Sequence, residues 1–206
     1  MTDNKIKQTS FPHQVIEKVY GEPTYKCLHD VTQKTRANAG AVKSTLGGGN
    51  HGLLAIMMTP AEYHNLTNYH WMEPAHPGTP PVIPPGTTQV AARNMITQYD
   101  EALKNWNLVN DTRTAIKQQI LDVFDEIYLQ PLCHRQLGYA NVTPYQMLQY
   151  LRKNYGTVES EDYIELKNKM AVPYDPTTTM VEYFNTLEDI QTMADGGPTP
   201  ITDNEI

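Results

Sequence analysis

The chain has 206 residues and is 39% hydrophobic, enough for one domain or two small ones with modest cores. Charged residues make up 19%, and the formal net charge is −7, with 16 Lys and Arg scattered along the chain. A groove that grips phosphates needs clustered cations, so this composition argues against direct nucleic-acid binding.

No apolar run approaches the roughly 20 residues that a spanning helix requires. The N-terminus, Met1-Thr2-Asp3-Asn4-Lys5, lacks the basic-then-apolar pattern of a signal peptide. Cys27 and Cys133 lie far apart with no CxxC or CxxH pair, and read as reduced thiols of a cytosolic protein.

In chain order, residues 1–10 are polar and read as a disordered N-terminus. Phe11-Pro12-His13 opens a short helix carrying Val15, Ile16 and Val19, which Gly21 ends. Pro23 suits the first turn of a helix over residues 23–45, with Leu28, Val31, Thr35, Ala39 and Val42 along one stripe. Gly47-Gly48-Gly49 stops it, because each glycine costs about 1 kcal/mol inside a helix. The apolar run Leu53–Met58 has the length of a buried strand or extended core segment. Thr59-Pro60-Ala61-Glu62 is a capping box that starts a two-turn helix burying Tyr63 and Leu66.

Prolines crowd residues 69–86 and no regular helix survives them. The segment reads as an extended Pro-rich arm with Trp71, Val82 and Ile83 as packing anchors. Val82-Ile83 is a candidate to pair with the 53–58 run as a small ribbon. From Thr87 a helix with Ala92, Ile96, Tyr99, Leu103 and Trp106 on one face runs to Lys104-Asn105-Trp106. Asn110 or Asp111 then caps a second helix, whose stripe is Ile116, Ile120, Val123 and Ile127 with Phe124 beside it. Pro131 closes the region.

Three more capping boxes or near-boxes follow: Thr143–Gln146, Ser160–Tyr163 and Thr179–Glu182. The first opens a helix over 144–155 that buries Met147, Leu148, Leu151 and Tyr155, and Gly156 stops it. Residues 158–160 read as a hinge. The second opens a helix marked by Tyr163, Leu166 and Met170, ended by the turn Pro173-Tyr174-Asp175-Pro176. The third opens a helix with Met180, Phe184, Leu187 and Gln191 on one stripe and Tyr183, Ile190 and Ala194 alongside. Gly196-Gly197-Pro198 terminates it, and Thr202-Asp203 is a candidate cap for one more helix. No internal repeat is visible. The expected architecture is mainly α with at most a minor β-ribbon.

Features that carry chemistry are sparse. His51, His64, His70 and His76, with Glu62 and Glu73, supply ligand types that zinc accepts. Helical metal pairs sit at i, i+4, however, and His64 and His70 are six apart across an expected helix end. Gly47–Gly52 lacks the Gly-Lys-Ser/Thr ending of a phosphate-binding loop and reads as a turn. Asp122, Asp125 and Glu126 read as solvated charge on a helix face, as do Glu182, Glu188 and Asp189. No GxSxG elbow is present.

Several ordered stretches line up with one family. They are Leu46–Ala55, Thr59-Pro60-Ala61-Glu62-Tyr63, Pro74-Ala75-His76-Pro77-Gly78, Pro84-Pro85-Gly86-Thr87, Lys117-Gln118-Gln119-Ile120, Gly138–Thr143, Tyr155-Gly156, Pro173–Pro176 and Gly196-Gly197-Pro198. In this order the chain resembles the Gag capsid protein of copia-type (Pseudoviridae-like) LTR retrotransposons, with those of diatoms and other microbial eukaryotes as look-alikes. The resemblance covers about residues 11–203.

It implies a two-lobed, retroviral-capsid-like helical bundle. Residues 11–157, with the arm at 69–86, resemble the N-terminal lobe, and 158–206 resemble part of the C-terminal lobe, which is incomplete here. It implies a structural protein, not an enzyme, that self-assembles into cytoplasmic virus-like particles enclosing element RNA. No cofactor, metal or membrane enters that role. The C-x2-C-x4-H-x4-C zinc knuckle is absent, so any RNA contact is expected to be indirect, through segments this chain lacks.

The abundance of Tyr, 13 residues against 3 Phe, suits repeated interfaces, where an apolar body with a polar tip is useful. The candidate assembly interface is Trp71, Val82, Ile83, Tyr145, Tyr183, Phe184 and Leu187. Two alternatives stand beside this reading. One is a Gag-derived host interaction module that no longer forms shells; the other is a metal-dependent enzyme using the histidines of 51–76.

Overall fold

A computed structural model describes residues 16–194 of the chain. The fold is mainly α. Its helices are α1 (Tyr25–Ala41), α2 (Pro60–Thr67), α3 (Gln89–Val123), α4 (Glu126–Leu129), α5 (Pro144–Tyr155), α6 (Ser160–Met170) and α7 (Met180–Ala194), with 3-10 turns at Leu54–Met57 and Gln130–Leu132. Among the described residues there is no strand; an isolated bridge joins His134 and Gly138. The helix expected at 11–20 lies largely outside the described residues, and 16–20 is irregular. The terminator at 196–198 and the cap at 202–203 also lie outside them.

The described chain forms two compact units, neither contiguous in sequence. One comprises Ile16, Lys34–Asp122 and Thr143–Tyr145; the other comprises Glu17–Gln33, Val123–Val142 and residues 146–194.

In the first unit the C-terminal half of α1 presents Thr35, Asn38 and Ala39, all fully buried. From α3 come Val109, Thr112, Ala115, Ile116, Gln119 and Ile120, buried at spacings of three and four. The Asn38 side-chain amide donates to Gln119 Oε1 at 3.2 Å within this core.

The glycine loop doubles back onto the end of α1, where Leu53 N–H donates to the Ala39 carbonyl at 3.0 Å. Gly52 makes this approach possible. It sits at φ 54°, and a Cβ there would run into the carbonyls of Gly40 and Val42.

The 53–58 run is not a strand. Its backbone turns as a 3-10 helix with Ala55, Ile56 and Met57 buried, so the ribbon with Val82-Ile83 does not form. An uninterrupted apolar run without period-2 alternation does not distinguish a buried strand from a buried turn.

The Thr59 capping box is formed in both directions. Thr59 N–H donates to Glu62 Oε2 at 2.6 Å, and Glu62 N–H donates to Thr59 Oγ1 at 3.2 Å. Burial works to raise the Glu62 carboxyl. The Thr59 bonds, the Arg36 charge and the Tyr145 hydroxyl outweigh it and hold the carboxyl below its usual range. In α2 the buried pair is Tyr63 and Thr67, at i and i+4, whereas Leu66 is 65% exposed, contrary to expectation.

The largest departure is α3, which runs as one 35-residue helix where two were expected. Asn110 and Asp111 do not cap. Asn110 Nδ2 donates back to the Trp106 carbonyl at 3.1 Å, and Thr112 Oγ1 donates to Leu108 at 2.8 Å, so both polar groups are absorbed within the helix. The helix ends at Val123, and Asp125 is extended (ψ 139°). That break re-aims the next turn, so Ile127 is 69% exposed rather than in line with Ile116, Ile120 and Val123.

In the second unit, Leu28 and Val31 of α1 and Met147, Leu148 and Leu151 of α5 are buried as their spacing predicts. Gly156 N–H closes α5 on the Arg152 carbonyl at 2.9 Å. Val158 belongs to a core cluster with Tyr25, Tyr163, Leu166, Ile190 and Ala194, so 158–160 is an anchored connection rather than a free hinge. The N-cap of α6 is Glu159, and Ser160 is already its first helical residue. Burial raises the Tyr25 hydroxyl above its ordinary value, with Lys26 opposing and Asp162 adding to the rise.

Helix α7 is rotated relative to the expected stripe. Leu187, Ile190 and Ala194 are buried and Tyr183 is half-buried, whereas Met180 and Phe184 face outward.

Candidate functional site

Among the described residues no group of three or more His, Cys, Asp or Glu side chains is placed to hold a metal ion. The histidines of 51–76 pair with aromatic rings or with each other instead. His64 and His70 stack at 4.2 Å with planes 6° apart, His76 meets Trp106 edge-on at 4.5 Å, and His51 lies 6.4 Å from Tyr63. Parallel stacked imidazoles direct their lone pairs side by side rather than toward one ion.

The glycine loop holds aromatics. The Tyr63 hydroxyl donates to the Gly47 carbonyl at 2.6 Å, and any Cβ on Gly48 would strike the Tyr69 ring. No helix of the described chain is long and apolar enough to cross a membrane.

The surface features are more informative. On α7, Met180, Val181 and Phe184 occupy adjacent positions of the first two turns and are exposed by 51%, 68% and 51%. The Thr179 cap fixes this end. Thr179 N–H donates to Glu182 Oε2 at 3.0 Å and Glu182 N–H donates to Thr179 Oγ1 at 3.2 Å, and the Thr179 N–H and hydroxyl hold the Glu182 carboxyl below its usual range.

Tyr183 bridges the exposed patch to the α6–α7 turn. Its ring meets Tyr174 at 5.4 Å and Phe184 at 6.0 Å, and its hydroxyl donates to the Val172 carbonyl at 3.4 Å. Beside it opens a largely apolar groove of about 500 Å³ lined by Val172, Pro173, Tyr183, Leu187, Ile190 and Met193. Val172 in the turn and Ile164 on α6 are also exposed. A polar cleft of about 370 Å³ elsewhere in this unit is lined by Tyr25, His29, Arg152, Lys153 and Thr192. Arg152 and Lys153 occupy the last turn of α5, where cations complement the negative helix end.

The seven candidate interface residues thus separate by environment. Trp71 is half-buried, packed at 6.1 Å against Tyr63 beside Ala55 and Met58. Leu187 is a core residue, 6% exposed. Tyr145 is half-buried and its hydroxyl interacts with Glu62. Tyr183 is half-buried at the edge of the groove. Phe184, Val82 and Ile83 are exposed, by 51%, 87% and 42%.

Met180 and Val181 join Phe184 on the surface and were absent from the sequence-derived set. The i, i+4 spacing of Met180 and Phe184 had suggested the core, and only the packing of α6 against α7 shows which stripe is inside. No protein family, curated protein or solved structure matches this chain.

Proposed function

We propose that the chain is a structural, self-associating protein of the capsid type, the Gag capsid of a copia-type retrotransposon that builds virus-like particles around element RNA. The observation that carries this reading is the exposed patch of Met180, Val181 and Phe184 beside the apolar groove of the α6–α7 hairpin. Contiguous apolar surface rimmed by polar residues marks an interaction site on a soluble protein. An aromatic anchor beside a pocket is the usual centre of such a site.

A shell is closed by many weak, repeated contacts, and a modest patch suits that task better than a large obligate interface. The ordered motifs from Leu46–Ala55 through Pro173–Pro176 support the family assignment, and the mainly helical fold agrees with it.

Sedimentation velocity of the full chain, compared with Phe184→Asp, tests the reading. Concentration-dependent association by the parent and its loss in a folded Phe184→Asp protein are expected. Equal association by both proteins would remove the α7 patch as the contact.

A further inference from the structure

The Pro-rich arm carries a second surface whose chemistry differs from that of the α7 patch. Between Glu73 and Arg93 the sequence has no Asp, Glu, Lys or Arg. Pro74, Pro77 and Pro80 are spaced by three, and the pairs Pro80-Pro81 and Pro84-Pro85 flank Val82-Ile83.

A polyproline II helix has three residues per turn, so that spacing lines up one ridge. The burial of the arm follows this period. Trp71, Pro74 and Pro77 are half-buried, and the residues between them are exposed or less covered. Gly78, at φ 80°, then redirects the chain. Beyond it Val82 and Ile83 are exposed by 87% and 42%, and Pro84 and Pro85 are exposed.

The span 79–86 is held at both ends. Tyr99 of α3 donates its hydroxyl to the Gly78 carbonyl at 3.2 Å, and Thr87 donates both N–H (3.2 Å) and Oγ1 (2.7 Å) to the Pro84 carbonyl. Upstream, Arg113 pairs with Glu73 at 2.8 Å and His76 meets Trp106. Between these clamps the backbone groups of Val82 and Ile83 have no hydrogen-bond partner among the described residues.

Four of the six residues 80–85 are prolines without an N–H, so the segment cannot add to a sheet edge as a ladder strand. What it presents is two proline pairs, of which Pro81 is half-buried, two exposed aliphatic side chains and the unbonded carbonyls of Val82 and Ile83, on a backbone held at Gly78 and Pro84. Those features suit a groove of stacked Tyr and Trp rings, which reads the proline ridge and donates to the intervening carbonyls. Fixing the ligand in advance lowers the ordering cost of binding. The lack of a flanking Lys or Arg favours a groove that reads the prolines alone over one needing a flanking cation.

We infer that residues 80–85 are a polyproline II ligand for a partner protein with an aromatic-lined groove, a role beyond the self-association proposed above. The test titrates the full chain into isolated polyproline-reading domains of the SH3, WW and EVH1 kinds and follows tryptophan fluorescence of each groove.

Saturable binding to at least one domain is expected. It should weaken about tenfold or more in the Pro81→Ala/Pro84→Ala double variant, about 1.4 kcal/mol, and stay unchanged in Phe184→Asp, which tests the other surface. Circular dichroism equal to the parent's confirms that the double variant is folded. Absence of saturable binding to every domain, or equal binding by the double variant, overturns the inference. If the double variant instead loses self-association while no domain binds, the segment is a contact between copies and the inference fails.

Discussion

Helix α7 offers a decisive comparison, because its two most similar-looking apolar positions have opposite environments. Leu187 is 6% exposed and Phe184 is 51% exposed. Leu→Ala in a core costs about 2–5 kcal/mol, the transfer term plus a cavity term. Leu187 lines the open groove of about 500 Å³, so the space left behind is continuous with solvent and the cavity term is small. The expected cost is therefore near the lower end, about 2–3 kcal/mol. Phe184 keeps half its surface in water, and removing it forfeits about 1 kcal/mol of burial or less.

Urea unfolding followed by circular dichroism measures both, at concentrations where parent and variants are monomeric. With a slope of about 2 kcal/mol per molar, Leu187→Ala moves the midpoint down by about 1 M and Phe184→Ala by less than half of that. A Phe184→Ala midpoint as low as or lower than that of Leu187→Ala would refute the orientation of α7, and with it the exposed patch.

Other outcomes follow from the first unit. Gly52→Ala places a Cβ against the Gly40 and Val42 carbonyls at positive φ, and a loss of about 1–3 kcal/mol is expected in thermal or urea unfolding. Asn38→Leu strips Gln119 of its 3.2 Å partner and costs about 1–3 kcal/mol, whereas the Asn38→Leu/Gln119→Leu double costs less than the sum, as a double-mutant cycle would show.

The Glu62 carboxyl is held below its unfolded-state value, so its contribution is fully present above the ordinary carboxylate range and is lost as pH falls through the folded value. Glu62→Gln is therefore expected to be less stable than the parent at pH 7, with the gap closing below about pH 4 in urea midpoints.

Much of this fold was legible where local signals agree with packing. Of the expected α1 stripe, Leu28, Val31, Thr35 and Ala39 are buried and Val42, past the helix end at Ala41, is half-buried; of the α5 set, Met147, Leu148 and Leu151 are buried and Tyr155 is half-buried. The Thr59–Glu62 and Thr179–Glu182 boxes form both reciprocal bonds because a capping box is specified by four consecutive residues.

Signals that depend on distant partners were misleading. Asn110 and Asp111 have good capping chemistry, but the helix runs through them, with Asn110 and Thr112 donating back to the Trp106 and Leu108 carbonyls; the expected face before them is half-buried at most, and Ile96 is exposed. Met180 and Phe184 share a stripe with Leu187 in sequence. α6 covers the neighbouring stripe instead, so only the tertiary contact assigns inside and outside. Of the three packing anchors expected in the Pro-rich arm, Trp71 packs on Tyr63, whereas Val82 and Ile83 are exposed by 87% and 42%. The free backbone of Val82 and Ile83 was not legible, because it depends on the clamps from Tyr99 and Thr87.

Self-association is what the capsid reading requires above all. Size-exclusion chromatography with light scattering, run on the full chain across protein and salt concentrations with negative-stain images of any large fraction, measures it directly. A mass that rises with concentration and salt toward large regular particles is expected, because salt screens the repulsion between copies of net charge −7. A single monomeric mass under every condition would contradict it.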